Sequence, residues 1–137
     1  MRWRRKDRHF SRRHHLRAIY ALPIVTRAVW LMHVHVGLGY HEIADRLAID
    51  VQSVEAMIAE GLSMIWCYME GEPMRRFSHQ GADDHIRRAE EKLRMRFEAC
   101  RRTQPPLRGV RRMFRALTGQ GPVSFSRWLA GEAGLRP

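Results

Sequence analysis

Apolar residues recur every three or four positions through the middle of the chain, and this spacing predicts amphipathic helices. One helix is predicted from Ile24 to Val36, after Pro23, whose missing amide hydrogen suits a first helical turn. A short helix is predicted after Gly39, and Asp50 is well placed to cap a longer one. The longer helix is expected to bury one stripe: Val51, Val54, Ile58, Leu62, Ile65 and Met69. A short helix, a tight turn and a longer helix predict a helix-turn-helix motif.

The C-terminal third repeats the helical spacing with many more charges. A helix is predicted from Asp83 to about Arg102, and a second one around Leu107, Val110, Phe114 and Leu117, while Ser124 is expected to cap a last turn. The predicted fold class is all-α: a small helical bundle containing a helix-turn-helix, with a basic N-terminal arm and additional C-terminal helices. Composition divides the chain into a basic, flexible arm (1–17), the helix-turn-helix domain (18–70), a linker (71–82) and a basic amphipathic helical extension (83–137).

The net charge of +11 is distributed unevenly along the 137 residues. Residues 1–17 carry a net charge of +7, residues 18–70 carry −4 and residues 71–137 carry +8. A strongly basic chain suggests an anionic partner such as nucleic acid. The helix-turn-helix segment, which is the part expected to touch DNA, is nevertheless the acidic part.

Four short motifs follow one another at fixed intervals between Ala21 and Met69. They are Leu22-Pro23, Glu42-Ile43-Ala44, Leu47-Ala48-Ile49 and Ser53-Val54-Glu55. With these motifs the segment resembles region four of bacterial extracytoplasmic-function sigma factors, and it is closest to the iron-uptake type, in which a Val-Glu dipeptide opens the recognition helix. Region two, the larger half of such factors, has no room in the residues before Ala21, so the resemblance is to an isolated region four.

The resemblance implies a role in bacterial transcription. In that family the second helix of the motif enters the major groove of a promoter element, and the rest of the domain docks on a flap of RNA polymerase. The implied partners are duplex DNA and, as an alternative, RNA polymerase or a sigma-related protein. Ala48 stands in the turn where the family often has glycine; if this position needs a positive φ, alanine costs about 1 kcal/mol.

The outward face of the longer helix is expected to contact DNA. The candidate recognition residues are Gln52, Ser53, Glu55, Ala56 and Ala59. Glutamine and serine can hydrogen-bond base edges, and a glutamate can accept from a cytosine amino group. Glu60 is also expected to face outward, and no Lys or Arg occurs between Val51 and Met74. Phosphate contacts supply most of the non-specific affinity for DNA. Because the longer helix has no cation, these contacts are expected to come from the basic flanks. The candidate phosphate-binding residues are Arg2, Arg4, Arg5, Lys6, Arg8, Arg12, Arg13, Arg108, Arg111, Arg112 and Arg115.

Large flexible and aromatic side chains crowd the end of the longer helix. They are Met57, Met64, Trp66, Tyr68 and Met69, and not all of them fit one inward stripe. Either they cover the core beneath the C-terminal segment, or they form an apolar patch for a protein partner, since methionine adapts to irregular surfaces.

Two hypotheses of function, from different classes, follow. The first is a small transcription regulator that binds DNA through the helix-turn-helix, with phosphate contacts from the basic flanks. The alternative is a protein-interaction module that docks on RNA polymerase or on a sigma or anti-sigma partner without reading DNA sequence. RNA binding through the arginine-rich ends is a third hypothesis.

Other function classes find no support in the sequence. No enzyme is predicted, because there is no Gly-rich phosphate loop, nucleophile elbow or metal-ligand cluster. The histidine pairs lack ligand spacing, so neither a metal nor another cofactor is expected. Cys67 and Cys100 fit reduced thiols in a cytosol, and no apolar run is long enough to span a membrane. The predicted location is therefore cytoplasmic, with neither a membrane nor a small-molecule substrate as a partner.

Overall fold

Six helices form the part of the chain that the computed structural model describes, which is residues 11–74, 76, 82–103 and 124–135. They are α1 (Ser11–Tyr20), α2 (Ile24–Val34), α3 (Tyr40–Leu47), α4 (Val51–Met69), α5 (Ala82–Thr103) and α6 (Phe125–Glu132). The described residues contain no strand, so the predicted all-α fold class is confirmed. α1 takes in residues 11–17 of the predicted basic arm, and the helix predicted around residues 107–117 lies outside the described residues.

Local sequence explains where several helices begin. Pro23 precedes α2 with φ −52° and ψ 147°. Ser124 caps α6 as predicted, because its Oγ accepts from the backbone amide of Arg127 at 3.2 Å. The predicted cap of α4 is wrong: Asp50 occupies the N-cap position, but its side chain makes no capping hydrogen bond. α4 begins instead with the backbone bond from the amide of Val54 to the carbonyl of Asp50, at 3.2 Å.

The turn between α3 and α4 depends on one left-handed residue. Ala48 has φ 53° and ψ 48°, and within the described residues no other amino acid except glycine has a positive φ. This conformation lets the amide of Ile49 donate to the carbonyl of Ala44 at 3.0 Å and brings the Ile49 side chain into the core. The positive φ at this position is confirmed. A residue with a Cβ is destabilised there by about 1 kcal/mol relative to glycine.

α4 lies at the centre of the bundle and packs against α1, α2, α3 and α5. Its N-terminal half joins the larger core cluster, to which α2, α3, α5 and α6 also contribute. The largest fully buried members of this cluster are Met32, Ile43, Leu47, Met57, Leu93 and Leu129. Its C-terminal half joins a smaller cluster with α1, α2 and the turn between them: Ala18, Ile19, Leu22, Trp30, Met64 and Ile65. Removing these apolar side chains from water is the main stabilising contribution to the bundle.

The described part of the C-terminal extension belongs to the same core. The ring centroid of Phe97 in α5 lies 5.6 Å from that of Phe125 and 5.8 Å from that of Trp128, both in α6. Arg96 Nη1 donates to the carbonyl oxygen of Leu47 at 2.6 Å, which joins α5 to the end of α3. α5 and α6 are therefore part of one bundle with α2, α3 and α4.

Candidate functional site

The candidate recognition residues do not share one exposed surface of α4. Two are exposed (Gln52, Glu55), two are partly buried (Ala56, Ala59) and one is buried (Ser53). The expectation that Ser53 faces outward is wrong: the residue is 2% exposed, and its Oγ donates to the carbonyl oxygen of His85 in α5 at 3.1 Å. Because α5 covers this side of α4, the hydrogen-bonding side chains that stay accessible among the candidates are those of Gln52 and Glu55.

α4 is rotated relative to the orientation that its apolar pattern predicts, so that only part of the predicted stripe is buried. Glu60, expected outward, is fully buried, and Leu62, expected inward, is 60% exposed. Both expectations are wrong because contacts with α2 set the rotation of the helix. The ring of Trp30 packs so closely on Gly61 that a Cβ at this glycine would lie 2.9 Å from Trp30 Cε3. One residue further along α4, Leu62 points about 100° away from this contact.

Glu60 is the centre of a buried polar network. Thr26 Oγ1 in α2 donates to Glu60 Oε1 at 3.1 Å, and the same oxygen accepts from Arg76 Nε at 3.3 Å and from Arg76 Nη2 at 3.2 Å. Arg76 also donates to Glu90 in α5. Burial raises the pKa of Glu60, although Arg76 and Thr26 oppose this rise, and the bond to Glu90 raises the pKa of Arg76. The network joins α2, α4 and α5 through hydrogen bonds, so we assign it a structural role.

The exposed side of α4 carries large apolar side chains. Leu62 is 60% exposed, Trp66 is 66% exposed and Met69 is 37% exposed. We call these three residues, together with Glu55 two turns before Leu62, the α4 outer face. On a helix of 3.6 residues per turn, the four positions fall within about 60° of one another. Sequence reasoning included Trp66 and Met69 in a possible protein-binding patch but missed Leu62, because this residue fits the apolar spacing of a buried stripe as well as any core residue does.

The crowded side chains at the end of α4 divide between core and surface. Met57 and Met64 are buried, and Tyr68 is partly buried. Trp66 and Met69 are exposed. The interpretation as core beneath the C-terminal segment therefore holds for Met57, whose cluster includes α5 and α6, whereas Met64 belongs to the cluster with α1 and α2. The interpretation as a protein-binding patch stays a prediction for Trp66 and Met69.

The surface of α3, α4 and the turn between them is acidic. The exposed acids of this region are Glu42, Asp45, Asp50, Glu55, Glu70 and Glu72. Arg46 is the one Lys or Arg in the sequence from Tyr40 to Met74, and its Nη1 donates to the carbonyl oxygen of Ala133 beyond α6 at 3.4 Å. A phosphate near the α4 outer face would therefore meet carboxylates, which repel it.

Exposed cations lie on α1 and α5 instead. α1 exposes Arg12, Arg13 and Arg17 on the same side as Leu16 and Tyr20. The exposed cations of α5 are Arg87, Arg88, Lys92, Arg94, Arg101 and Arg102, and acids are interspersed among them. The other candidate phosphate-binding residues, Arg2, Arg4, Arg5, Lys6, Arg8, Arg108, Arg111, Arg112 and Arg115, lie outside the described residues. Of the predicted phosphate-binding set, the structure therefore places Arg12 and Arg13, both at the surface.

Neither a metal centre nor a membrane span is found where the structure can be described. Among residues 11–74, 76, 82–103 and 124–135, no three His, Cys, Asp or Glu side chains are grouped so that they could hold a metal ion. No helix in these ranges is both long and apolar enough to cross a membrane.

No protein-family model, no curated protein and no solved structure matches this chain. The choice between the candidate functions therefore depends on the surfaces of α1 and α4, together with the motifs between Ala21 and Met69.

Proposed function

We propose that the chain is a protein-interaction module of bacterial transcription, which docks on RNA polymerase or on a sigma or anti-sigma partner through the α4 outer face. The observation that carries this proposal is the exposure of Leu62 and Trp66, one turn apart, on a helix that contains no Lys or Arg. Exposed apolar patches on folded domains mark interaction sites. Tryptophan is also enriched among the residues that dominate the energetics of protein interfaces.

The surroundings of the α4 outer face favour a protein over a DNA groove. Roughly half or more of the hydrogen bonds in protein–DNA interfaces go to phosphate and sugar, and these contacts need donors. The exposed part of α4 offers a neutral donor, the amide of Gln52, beside the carboxylate of Glu55, and the hydroxyl of Ser53 already donates to α5. The motifs that resemble region four supply the context of transcription, because in that family the domain also contacts polymerase.

Photo-crosslinking in bacteria that express the full chain tests the proposal. With a photo-reactive amino acid in place of Leu62, we expect a covalent adduct with a polymerase subunit or a sigma-related protein, identified by mass spectrometry. Met95 in α5 is the matched control, because it is an apolar residue that is 73% exposed and lies outside the α4 outer face. If position 62 yields neither class of partner, or if position 95 yields the same adduct, the proposal is wrong.

The exposed arginines of α1 favour a second candidate, a transcription regulator that binds duplex DNA. In this case Arg12, Arg13 and Arg17 contact phosphates, while Gln52 and Glu55 face the groove. Fluorescence anisotropy on duplex DNA across a salt series tests this candidate. Replacing Arg12 and Arg13 by alanine is expected to weaken binding to all sequences alike and to flatten the slope of log K against log salt by about 0.9 for each lost phosphate contact. An unchanged slope would exclude these two residues from the interface.

A further inference from the structure

We propose that the α4 outer face binds a cationic amphipathic helix of the partner protein. This inference rests on the proposed function, since it assumes that a protein docks on α4, and it specifies the chemistry of the segment that does so. Three features of the described residues carry it: the apolar stripe, the acids at its two ends and a last turn of α4 that contains no basic residue.

The apolar stripe has the dimensions of a helix-binding surface. Leu62, Trp66 and Met69 follow the i, i+4, i+7 spacing, so their side chains line up along the helix axis over about 10 Å. A partner helix that lies along this line can place its own apolar residues at the same intervals beside them. Trp66, which is 66% exposed, offers the largest apolar area of the three and is the expected anchor.

Acids mark both ends of the stripe. Glu55 lies two turns before Leu62, and Glu70 and Glu72 follow the last residue of α4; all three are exposed. Within the described part of the chain, no hydrogen bond or ion pair joins any of these three carboxylates to a cation. Glu55 and Glu70 are about 22 Å apart along the helix axis, which corresponds to about four turns of a partner helix. Lys or Arg side chains at the two ends of such a helix would reach these acids.

The last turn of α4 supplies no cation of its own to the C-terminus of the helix. A helix C-terminus carries partial negative charge, which favours nearby cations. The last turn of α4 contains no basic residue, and Glu70 and Glu72 add negative charge at this same end. A cation from a partner would relieve this repulsion, so complementarity of charge favours a basic segment over an acidic or neutral one.

The same acids argue against a second copy of the chain as the occupant. If two α4 helices pack antiparallel with their apolar stripes in register, Leu62 of one copy faces Met69 of the other and Glu70 faces Gly61. In a parallel arrangement, each acid faces its own counterpart. The antiparallel arrangement supplies no cation to these acids and the parallel one brings like charges together, which disfavours self-association relative to a basic partner.

Binding of a synthetic helix to the full chain tests the inference. The probe is an 18-residue peptide with leucines on one helical stripe and lysines elsewhere, labelled for fluorescence anisotropy. Two peptides serve as controls: one has glutamates in place of the lysines, and one has the same composition as the probe but no leucine stripe. We expect the probe to bind at least tenfold more tightly than either control, with an affinity that falls as salt rises.

Variants of the chain assign this binding to the α4 outer face. Trp66→Ala is expected to weaken binding of the probe at least tenfold, and the triple replacement of Glu55, Glu70 and Glu72 by glutamine is expected to weaken it and to flatten its salt dependence. Met95→Ala, which removes an exposed apolar side chain elsewhere, should leave the affinity unchanged. Because all these side chains are exposed, circular dichroism should show the helical content of the unmodified chain in every variant.

Several outcomes would overturn the inference. Equal affinity for the three peptides, or unchanged affinity after Trp66→Ala, would show that the stripe and its acids do not select a cationic helix. A dimer in sedimentation velocity that Trp66→Ala dissociates would show that the occupant is a second copy. If the adduct formed at position 62 maps to a polymerase or sigma segment without a basic helix, the proposed function stands and this inference fails. If the probe binds as expected but position 62 captures no such protein in cells, the proposed function fails and the surface chemistry stands.

Discussion

Replacing Arg76 by alanine is expected to lower the free energy of unfolding by about 2–3 kcal/mol near pH 7. The guanidinium donates two hydrogen bonds to Glu60 Oε1 and one to Glu90 Oε1. Hydrogen bonds to charged groups contribute about 1.5–3 kcal/mol each where water is excluded. Because the Arg76 side chain is 48% exposed, we assign about 1 kcal/mol to each bond. Removing one partner of a fully buried ion pair lowers the free energy of unfolding by about 3–5 kcal/mol. We expect the smaller loss of about 2–3 kcal/mol for Arg76→Ala, because the Glu60 carboxyl can bind a proton once Arg76 is absent.

The loss depends on pH because Glu60 titrates. Burial raises the pKa of Glu60 above its ordinary value of 4.5. When a carboxyl has a higher pKa in the folded than in the unfolded state, its protonation stabilises the folded state. This contribution is complete at pH values below the unfolded pKa and is lost as the pH rises through the folded pKa. Removing Arg76 takes away the positive charge that opposes the rise, so the pKa of Glu60 increases further. The difference in stability between the unmodified chain and the variant should therefore be smallest near pH 4 and widen toward pH 8.

Urea unfolding followed by circular dichroism across this pH range measures the difference. Adding Glu60→Gln to Arg76→Ala removes the ionisable group, while the new amide oxygen can still accept from Thr26. The double variant should therefore be more stable than Arg76→Ala alone near pH 8. Arg87→Ala is the matched control, because Arg87 pairs with Asp84 at the surface and its loss should cost about 0.5 kcal/mol or less. A loss from Arg76→Ala that is equal at both ends of the pH range, or that Glu60→Gln does not reduce, would refute this reasoning.

Three further substitutions test the backbone and packing of α4 by urea unfolding. Ala48→Gly is expected to raise the free energy of unfolding by about 0.5–1 kcal/mol, because glycine adopts the left-handed conformation without strain, and an unchanged value would contradict this. Gly61→Ala is expected to lower it by about 1–3 kcal/mol despite the better helix propensity of alanine, because the new Cβ lies 2.9 Å from the ring of Trp30. The loss should shrink in a Trp30→Leu background, and equal losses in both backgrounds would exclude the ring as the cause. Ser53→Ala is expected to lower stability by about 1 kcal/mol through the lost bond to His85 and to leave duplex-DNA affinity unchanged; a selective loss of sequence preference would return Ser53 to a DNA-reading role.

The positions of the helices could be predicted from the sequence because apolar spacing and capping are local properties. Ile43 and Leu47 share the predicted apolar side of α3 and are fully buried, and Ser124 caps α6 with its own side chain. The positive φ of Ala48 fits the resemblance, in which glycine is common at this place. In each case the residues that decide the outcome lie within one or two turns of one another.

The rotation of α4 could not be predicted in the same way. Glu60 is buried by partners that are 34 residues earlier and 16 residues later in the chain, Thr26 and Arg76. Gly61 faces the core because it leaves room for the ring of Trp30, although its own side chain contributes no apolar surface. Spacing alone favours a stripe through Leu62, since a leucine counts as a core residue and a glutamate or a glycine does not. Only the tertiary partners reverse this preference.

α5 determines which chemistry α4 offers to a partner. The carbonyl oxygen of His85, in the first turn of α5, accepts a hydrogen bond from the hydroxyl of Ser53. Arg76 links Glu90 of α5 to Glu60, so the polar groups of Ser53 and Glu60 both have partners inside the fold. What remains accessible on α4 is Gln52 in its first turn, an apolar stripe that includes Leu62 and Trp66, and carboxylates at the ends of this stripe. DNA would require donors along this surface to contact phosphates, whereas a basic amphipathic helix requires an apolar stripe and terminal acids. The packing of α5 on α4 is thus the structural feature that favours protein docking over promoter reading in the function we propose.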